Sequence, residues 1–245
     1  MGSMPVGEHH NMKPATLLPV GSIEQHGFLP LETDTLIARA FCELSADRFD
    51  VIVEEAVEEG FCPTTCALAG TEVLRFEEIL NRVSGRVMRM IDEGRHYVIL
   101  INVHGGNDSI LTAVVQDTYI DRGFPLLYFN PYTAFANELN SVCFGGGDNS
   151  YKECSLLLAA MDILGKEPIS GPPTDEVVQR DTLVENLKKA GMLGFSYEEP
   201  SQHVAWRSGA TARAGREFLE ATVTRFQAVV EDFQQYVENE LAKAK

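Results

Sequence analysis

The chain has 245 residues, 44% of them hydrophobic and 23% charged, which describes a globular protein rather than a disordered or fibrous one. Its 36 Asp and Glu against 20 Lys and Arg give a formal net charge of −16. That balance argues against general binding to nucleic-acid phosphates or to anionic membrane surfaces. The surplus carboxylates serve either solubility or metal binding, and the motifs must separate the two.

No apolar run approaches the ~20 residues that a membrane helix needs. The start, MGSMPVGEHHNMK, has no basic stretch followed by an apolar one, so no secretory signal is expected. Gly2-Ser3-Met4 reads as a cloning scar. Residues 1–13 are therefore set aside as a tag or disordered segment, with His9 and His10, and residues 14–245 are read as one domain. The five cysteines are odd in number, so reduced thiols in a cytoplasm are expected. Cys62 and Cys66 lack the second close pair that a zinc knuckle requires, and read as small buried or loop residues. Cys154 opens an apolar stretch and is expected to pack.

Residues 15–20 (ATLLPV) predict a buried strand. Residues 35–47 have helical spacing, with Thr33 or Asp34 placed to cap the start. Residues 51–57 suit a strand, and a loop with Gly60, Pro63 and Gly70 follows. Residues 74–93 predict an amphipathic helix ended by Gly94. Tyr97 to Val103 is an apolar run suited to a strand buried on both faces. Residues 108–122 are helical, 125–129 a strand, 130–150 loop-rich, and 153–164 a buried helix. Residues 165–205 are irregular apart from a helix at 176–190, and a long amphipathic helix runs from about Thr211 to Lys243. Alternating strands and helices imply a single α/β domain with a mostly parallel sheet and helices on both faces.

Ligands of such sheets sit beyond the carboxyl ends of the strands. Two of those ends carry metal-type side chains. GSIEQHGFLPLETDT, after the first strand, presents Glu24, His26 and Asp34; NVHGGN presents His104. Glu24 and His26 share a face if the segment is extended. Gly105-Gly106 lets the backbone turn and approach closely, and Asn107 could orient the turn. A carboxylate can bridge two cations ~3.5–4 Å apart. Mixed His, Asp and Glu ligation suits zinc, manganese or iron(II) rather than a thiolate site. A lone Glu-x-His is a weak signal, but two such clusters at two strand ends carry more weight.

These residues also resemble the creatininase family of metal-dependent amidohydrolases. LPVGSIEQHGFLPLETDTLIA is similar to the family's P-V-G-S-x-E-Q-H-G-P-H-L-P-L-x-T-D, and INVHGGN to its N-G-H-G-G-N. LAGTEVL matches F-P-G-T-x-x-L, and GATARAGREFLEATV matches A-T-A-x-x-G-R-x-x-x-E-A, all in chain order. The resemblance implies a three-layer αβα sandwich with two divalent metal ions, either Zn, Mn or Fe. It implies Glu24, His26, Asp34 (bridging) and His104 as ligands. A later family segment, H-A-G-x-x-E-T-S, falls on Asp148 to Ser155 and makes Glu153 the remaining carboxylate. Glu153 and His104 are the candidate catalytic residues, and Asp148 and Tyr151 weaker candidates for binding substrate. His203 and Arg207 are further possible contacts, each more simply a surface or loop residue.

The chain departs from the family pattern at three places. G-F-L-P replaces G-P-H-L-P, so one histidine is absent. Asp148-Asn149-Ser150 replaces His-Ala-Gly, and Thr64-Thr65 stands where the family has Glu-His. The altered wall points away from creatinine itself. The implied activity is hydrolysis of a C–N bond in a small amide, cyclic amide or formamide, by a water activated between two cations. Peptide trimming or deformylation in cofactor biosynthesis, sugar-ring opening, and non-catalytic metal or small-molecule binding are the alternatives. The expected partners are a small-molecule substrate and copies of the same chain, a hexamer by resemblance, with no nucleic acid and no membrane.

Overall fold

A computed structural model describes residues 13–167, 169, 181–191 and 193–243. Four parallel strands form the sheet, in the order β2-β1-β3-β4: β1 (Ala15–Val20), β2 (Val51–Val53), β3 (Val98–Asn102) and β4 (Leu126–Phe129). The two central strands are buried along their whole length, as continuous apolar runs between two helical layers require.

Side chains alternate across these strands and divide the core in two. Ala15, Leu17, Ile99 and Ile101 point to one face, where they meet α1 (Thr33–Ala46), α4 (Ala136–Phe144), α5 (Asn149–Ile163) and α7 (Ala212–Lys243). Leu18, Val20, Val98 and Leu100 point to the other, against α2 (Phe76–Asp92) and α3 (Asp108–Arg122). Ile79, Val83, Val87 and Met90 supply the buried stripe of α2. On the larger face Phe226 of α7 sits among rings, with centroids 4.5 Å from Phe129 and 5.1 Å from Phe41. Burying such a side chain contributes about 1.5–3 kcal/mol before entropy is counted. The result is a three-layer αβα sandwich.

Several elements differ from the sequence reading. Pairing of β2 stops at Val53, and Glu54 turns to Arg95 at 3.6 Å and Arg86 at 3.8 Å; Val57 returns only as a single bridge to Val20. The segment expected as loop contains α4, whose buried residues are only Leu139 and Phe144, too few to show a period. The helix expected at 176–190 is α6 (Thr182–Ala190), and residues 176–180 lie outside the described residues, as do His9 and His10. Gly94 ends α2 with φ +82, as expected of a glycine after a helix. All five cysteines are free thiols. No helix among the described residues is long and apolar enough to cross a membrane.

Candidate metal centre

Val20 and Asn102 are partners in the register of β1 and β3, so the segments that follow leave the sheet side by side at its carboxyl edge. Gly21 lets the first turn of α1 press on the end of β1: a Cβ there would lie 2.5 Å from Thr35 Cα. That contact delivers Asp34. Neither Thr33 nor Asp34 caps the helix. Glu32 stands at the N-cap without a side-chain cap bond. The Asp34 carboxylate is committed elsewhere, accepting from Ser22 Oγ at 2.7 Å and lying 2.9 Å from Nδ1 of His104.

The remaining donors close around it. His26 Nε2 lies 3.7 Å from Glu24 Oε1, 3.7 Å from Asp34 Oδ2 and 3.2 Å from Glu153 Oε1. His104 Nδ1 lies 3.0 Å from Glu24 Oε1. Glu24, His26, Asp34 and His104 are buried, and Glu153 of α5 is half-buried at the rim. The second nitrogen of each imidazole meets a main-chain carbonyl: His26 Nδ1 is 2.9 Å from Glu24 O, and His104 Nε2 is 2.9 Å from Phe61 O. These contacts make the carbonyl-facing nitrogens the N–H donors. They turn His26 Nε2 and His104 Nδ1 toward the carboxylates, the arrangement typical around metal-binding histidines.

The glycine turn works through one residue of the pair. A Cβ on Gly106 would lie 2.0 Å from Phe61 O and 2.4 Å from His104 Nε2, whereas one on Gly105 meets nothing within 4 Å. Asn107 joins three segments: it accepts from Phe61 N at 3.0 Å and donates to Gly21 O at 2.8 Å and to Asn102 Oδ1 at 3.3 Å. Thr65, where the resembled family has a histidine, donates to Glu24 Oε2 at 2.6 Å.

The cluster calls for positive charge. Burial alone would lower the His26 pKa, but Asp34, Glu153 and Glu24 push it up to about 10. Burial opposes the shift at His104 too, yet Glu24 and Asp34 raise it well above the usual imidazole range. Burial would raise both Asp34 and Glu24; His26 and His104 hold the first below the carboxylate range, and His104 holds down the second. Protons on the imidazoles thus occupy a niche whose oxygen and nitrogen donors suit a divalent cation. One donor atom from each of His26, Asp34 and Glu153 lies within 4.8 Å of the others, a spacing that can hold an ion.

A cavity of about 400 Å³ opens onto these groups, with Tyr132, Ser150, Lys188, Tyr197 and His203 among its walls. Tyr132 remains a neutral donor there, because burial and then Glu153 and Asp34 raise its hydroxyl pKa. Asp148 and Tyr151 do not line the cavity. Asp148 caps α5, accepting from Tyr151 N at 2.9 Å, and pairs with Arg207. Tyr151 packs edge-on against Phe144 at 6.3 Å. Ser150 and Glu153, three residues apart on one helix face, meet the cavity instead. Cys62, expected as a small buried or loop residue, is buried, and its Sγ lies 3.8 Å from His104 Nε2. Tyr132 carries no motif or period that marks it, Thr65 is marked only as a departure from the family pattern, and Lys188 only as part of a predicted helix.

Comparison with known proteins agrees with this fold. Among curated relatives, the mycofactocin precursor peptide peptidase of Mycolicibacterium smegmatis is 36% identical over 129 residues, 47% of this chain and 49% of that protein. Its counterpart in Mycobacterium tuberculosis is 30% identical over 128 residues, 47% of this chain and 50% of that protein. The match therefore spans about half the length of these relatives. Solved structures share the fold along nearly the whole chain. A candidate creatinine amidohydrolase from Bacteroides fragilis superposes with a TM-score of 0.70 at 18% identity, over 91% of this chain and 90% of that one. A creatininase designated Mn gives 0.66 at 20% identity, over 90% and 91%. A mutant creatininase of the Zn-Zn type gives 0.67 at 18%, over 90% and 91%. Residues 1–230 match the creatininase profile, described as creatinine amidohydrolase, and the chain belongs to the creatininase family.

Proposed function

We propose that the protein is a metal-dependent amidohydrolase that cleaves a C–N bond in a small amide, cyclic amide or formamide. The observation that carries this reading is Asp34 Oδ2, which lies 2.9 Å from His104 Nδ1 and 3.7 Å from His26 Nε2 at the floor of an open cavity. In this reading Glu24, Asp34 and His104 would hold one divalent cation, and His26, Asp34 and Glu153 a second. Zinc, manganese and iron(II) all suit the donor set. The chemistry that such cations supply when bound is acidification of a water and polarisation of a carbonyl oxygen.

The chain's own groups do the rest. Ser22 and Thr65 fix the carboxylates by hydrogen bonds of 2.7 and 2.6 Å, so little reorganisation accompanies the reaction. Glu153, half-buried at the rim, would take the proton of the attacking water on the carboxylate oxygen not committed to a cation and pass it to the leaving nitrogen. Tyr132 offers a neutral O–H to a substrate oxygen. The protein is read as cytoplasmic and as a homo-oligomer, with residues 14–245 as its functional domain. The curated relatives support a second reading, trimming of a peptide, because they are named as peptidases.

The test strips the protein with a chelator and restores Mn, Zn or Fe(II) singly. Hydrolysis is then measured on cyclic amides, formamides and short peptides. Activity returning with metal on one substrate class identifies that class. Failure to bind any divalent cation would sink the proposal, and cation binding without turnover would leave a binding protein.

A further inference from the structure

We propose that His203 is an additional ligand of the metal centre, supplied by the segment 193–211 that precedes α7. The proposal rests on the metal-centre reading above. One donor atom of His203 lies within 4.8 Å of donor atoms on both Glu24 and His26, which are equally close to each other. His26 commits Nδ1 to the Glu24 carbonyl, so only its Nε2 serves a cation. The ion that His203 would reach is therefore one that His26 ligates through Nε2.

The orientation of His203 follows the pattern of the other two histidines. His203 Nδ1 lies 2.7 Å from Gln25 O, as His26 Nδ1 lies 2.9 Å from Glu24 O and His104 Nε2 lies 2.9 Å from Phe61 O. All three imidazoles are thus fixed through one nitrogen by a main-chain carbonyl, the outer-shell contact that metal-binding histidines use. The His203 ring is also held on its faces, 5.5 Å from the Tyr197 ring and 5.0 Å from the His26 ring.

Its segment is anchored to the helix that carries Glu153. Ala205 N donates to Ser150 Oγ at 3.3 Å, and Cys154 Sγ donates to Ala205 O at 3.4 Å. Val204, Ala205 and Trp206 are buried. On the opposite side Gly27, at φ +67, leaves room for Val204, whose carbonyl oxygen would lie 2.5 Å from a Cβ there. His203 is built into the site from two sides. A second imidazole on this cation shifts its preference toward zinc or iron(II) and away from manganese.

The experiment titrates cobalt(II) into the chelator-stripped full chain. It records the visible cobalt spectrum and the affinity of each step against a competing chromophoric chelator. His203→Ala is expected to leave one step unchanged, to weaken the other by at least about tenfold and to alter its spectrum. Free imidazole is expected to restore that step. His203→Gln, closer in size and able to keep a hydrogen bond to Gln25, is expected to show the same loss with a parent-like melting temperature. Two steps with the parent's affinity and spectrum in either folded variant overturn the proposal while leaving the metal centre intact. A parent chain that binds no cobalt overturns both.

Discussion

Oδ2 of Asp34 lies 2.9 Å from Nδ1 of His104 across 70 residues of chain. The same oxygen lies 3.7 Å from His26 Nε2, so one atom faces both imidazoles. Asp34→Ala is expected to abolish the shared position and to lower bound metal, counted by elemental analysis after dialysis, below that of the parent. Ser22→Ala keeps every donor but removes the 2.7 Å bond that orients Asp34, and is expected to weaken binding by about 10- to 100-fold. Parent-like metal content in Asp34→Ala contradicts the assignment.

The two glycines after His104 are expected to behave differently. Gly106→Ala forces a methyl group against the Phe61 carbonyl, 2.0 Å away, and against the His104 ring. A backbone atom cannot swing aside, so a loss of about 1–3 kcal/mol is expected, together with weaker metal binding. Gly105→Ala meets open space and serves as the matched control. Urea titrations of the two variants make the comparison. Equal stabilities would show that the close approach is not what position 106 requires.

Proton linkage gives the metal-free protein a distinct pH profile. His26 is raised from 6.5 to about 10, so its contribution is complete below pH 6.5 and is lost as pH climbs toward 10. Glu24 and Asp34 are shifted down, so their contributions are present above 4.5 and 3.8 and are lost as pH falls. The stripped protein is therefore expected to be most stable between about pH 4.5 and 6.5 as far as these groups decide it. A cation must displace the imidazole protons, so binding at neutral pH releases protons and tightens as pH rises. Calorimetry in buffers of different ionisation enthalpy counts those protons, and a count of zero contradicts the argument.

Phe226 tests the core apart from the chemistry. It is fully buried, 4.5 Å from the Phe129 ring and 5.1 Å from that of Phe41. Phe226→Ala is expected to cost about 3–5 kcal/mol in unfolding free energy. Metal affinity per folded molecule should stay at the parent value. A large change there would mean that the α7 face and the metal centre are mechanically coupled.

The parts of this site legible in the sequence are those that lie close together along it. Glu24, His26 and Asp34 fall within one strand-end segment, and His104 follows the most apolar run. The run announces a buried strand, and a strand end announces where a ligand sits. Glu153 was legible only by resemblance, because nothing in a buried helix singles out one carboxylate. Asp148 and Tyr151, the weaker candidates for binding substrate, stand outside the lining of the cavity. They are neighbours of Glu153 in the chain, but helix geometry turns Ser150 toward the cavity and leaves Asp148 to cap and to pair with Arg207. Tyr132 comes from an irregular segment without a period, so only tertiary packing brings it in; the sequence points to His203 only as a possible substrate contact and to Thr65 only as a departure from the family pattern. The helix α4 escaped for want of a buried stripe.

The donors of the centre come from the ends of two strands and from two helices, and Asn107 ties together Gly21, Phe61 and Asn102 beneath them. No single stretch of chain, and no partly assembled sheet, holds that set. On the proposed assignment a cation would therefore bind tightly only to the finished fold, and by mass action would withdraw molecules from every open state. On the same assignment, metal-loaded protein is expected to unfold at a higher temperature than chelator-stripped protein.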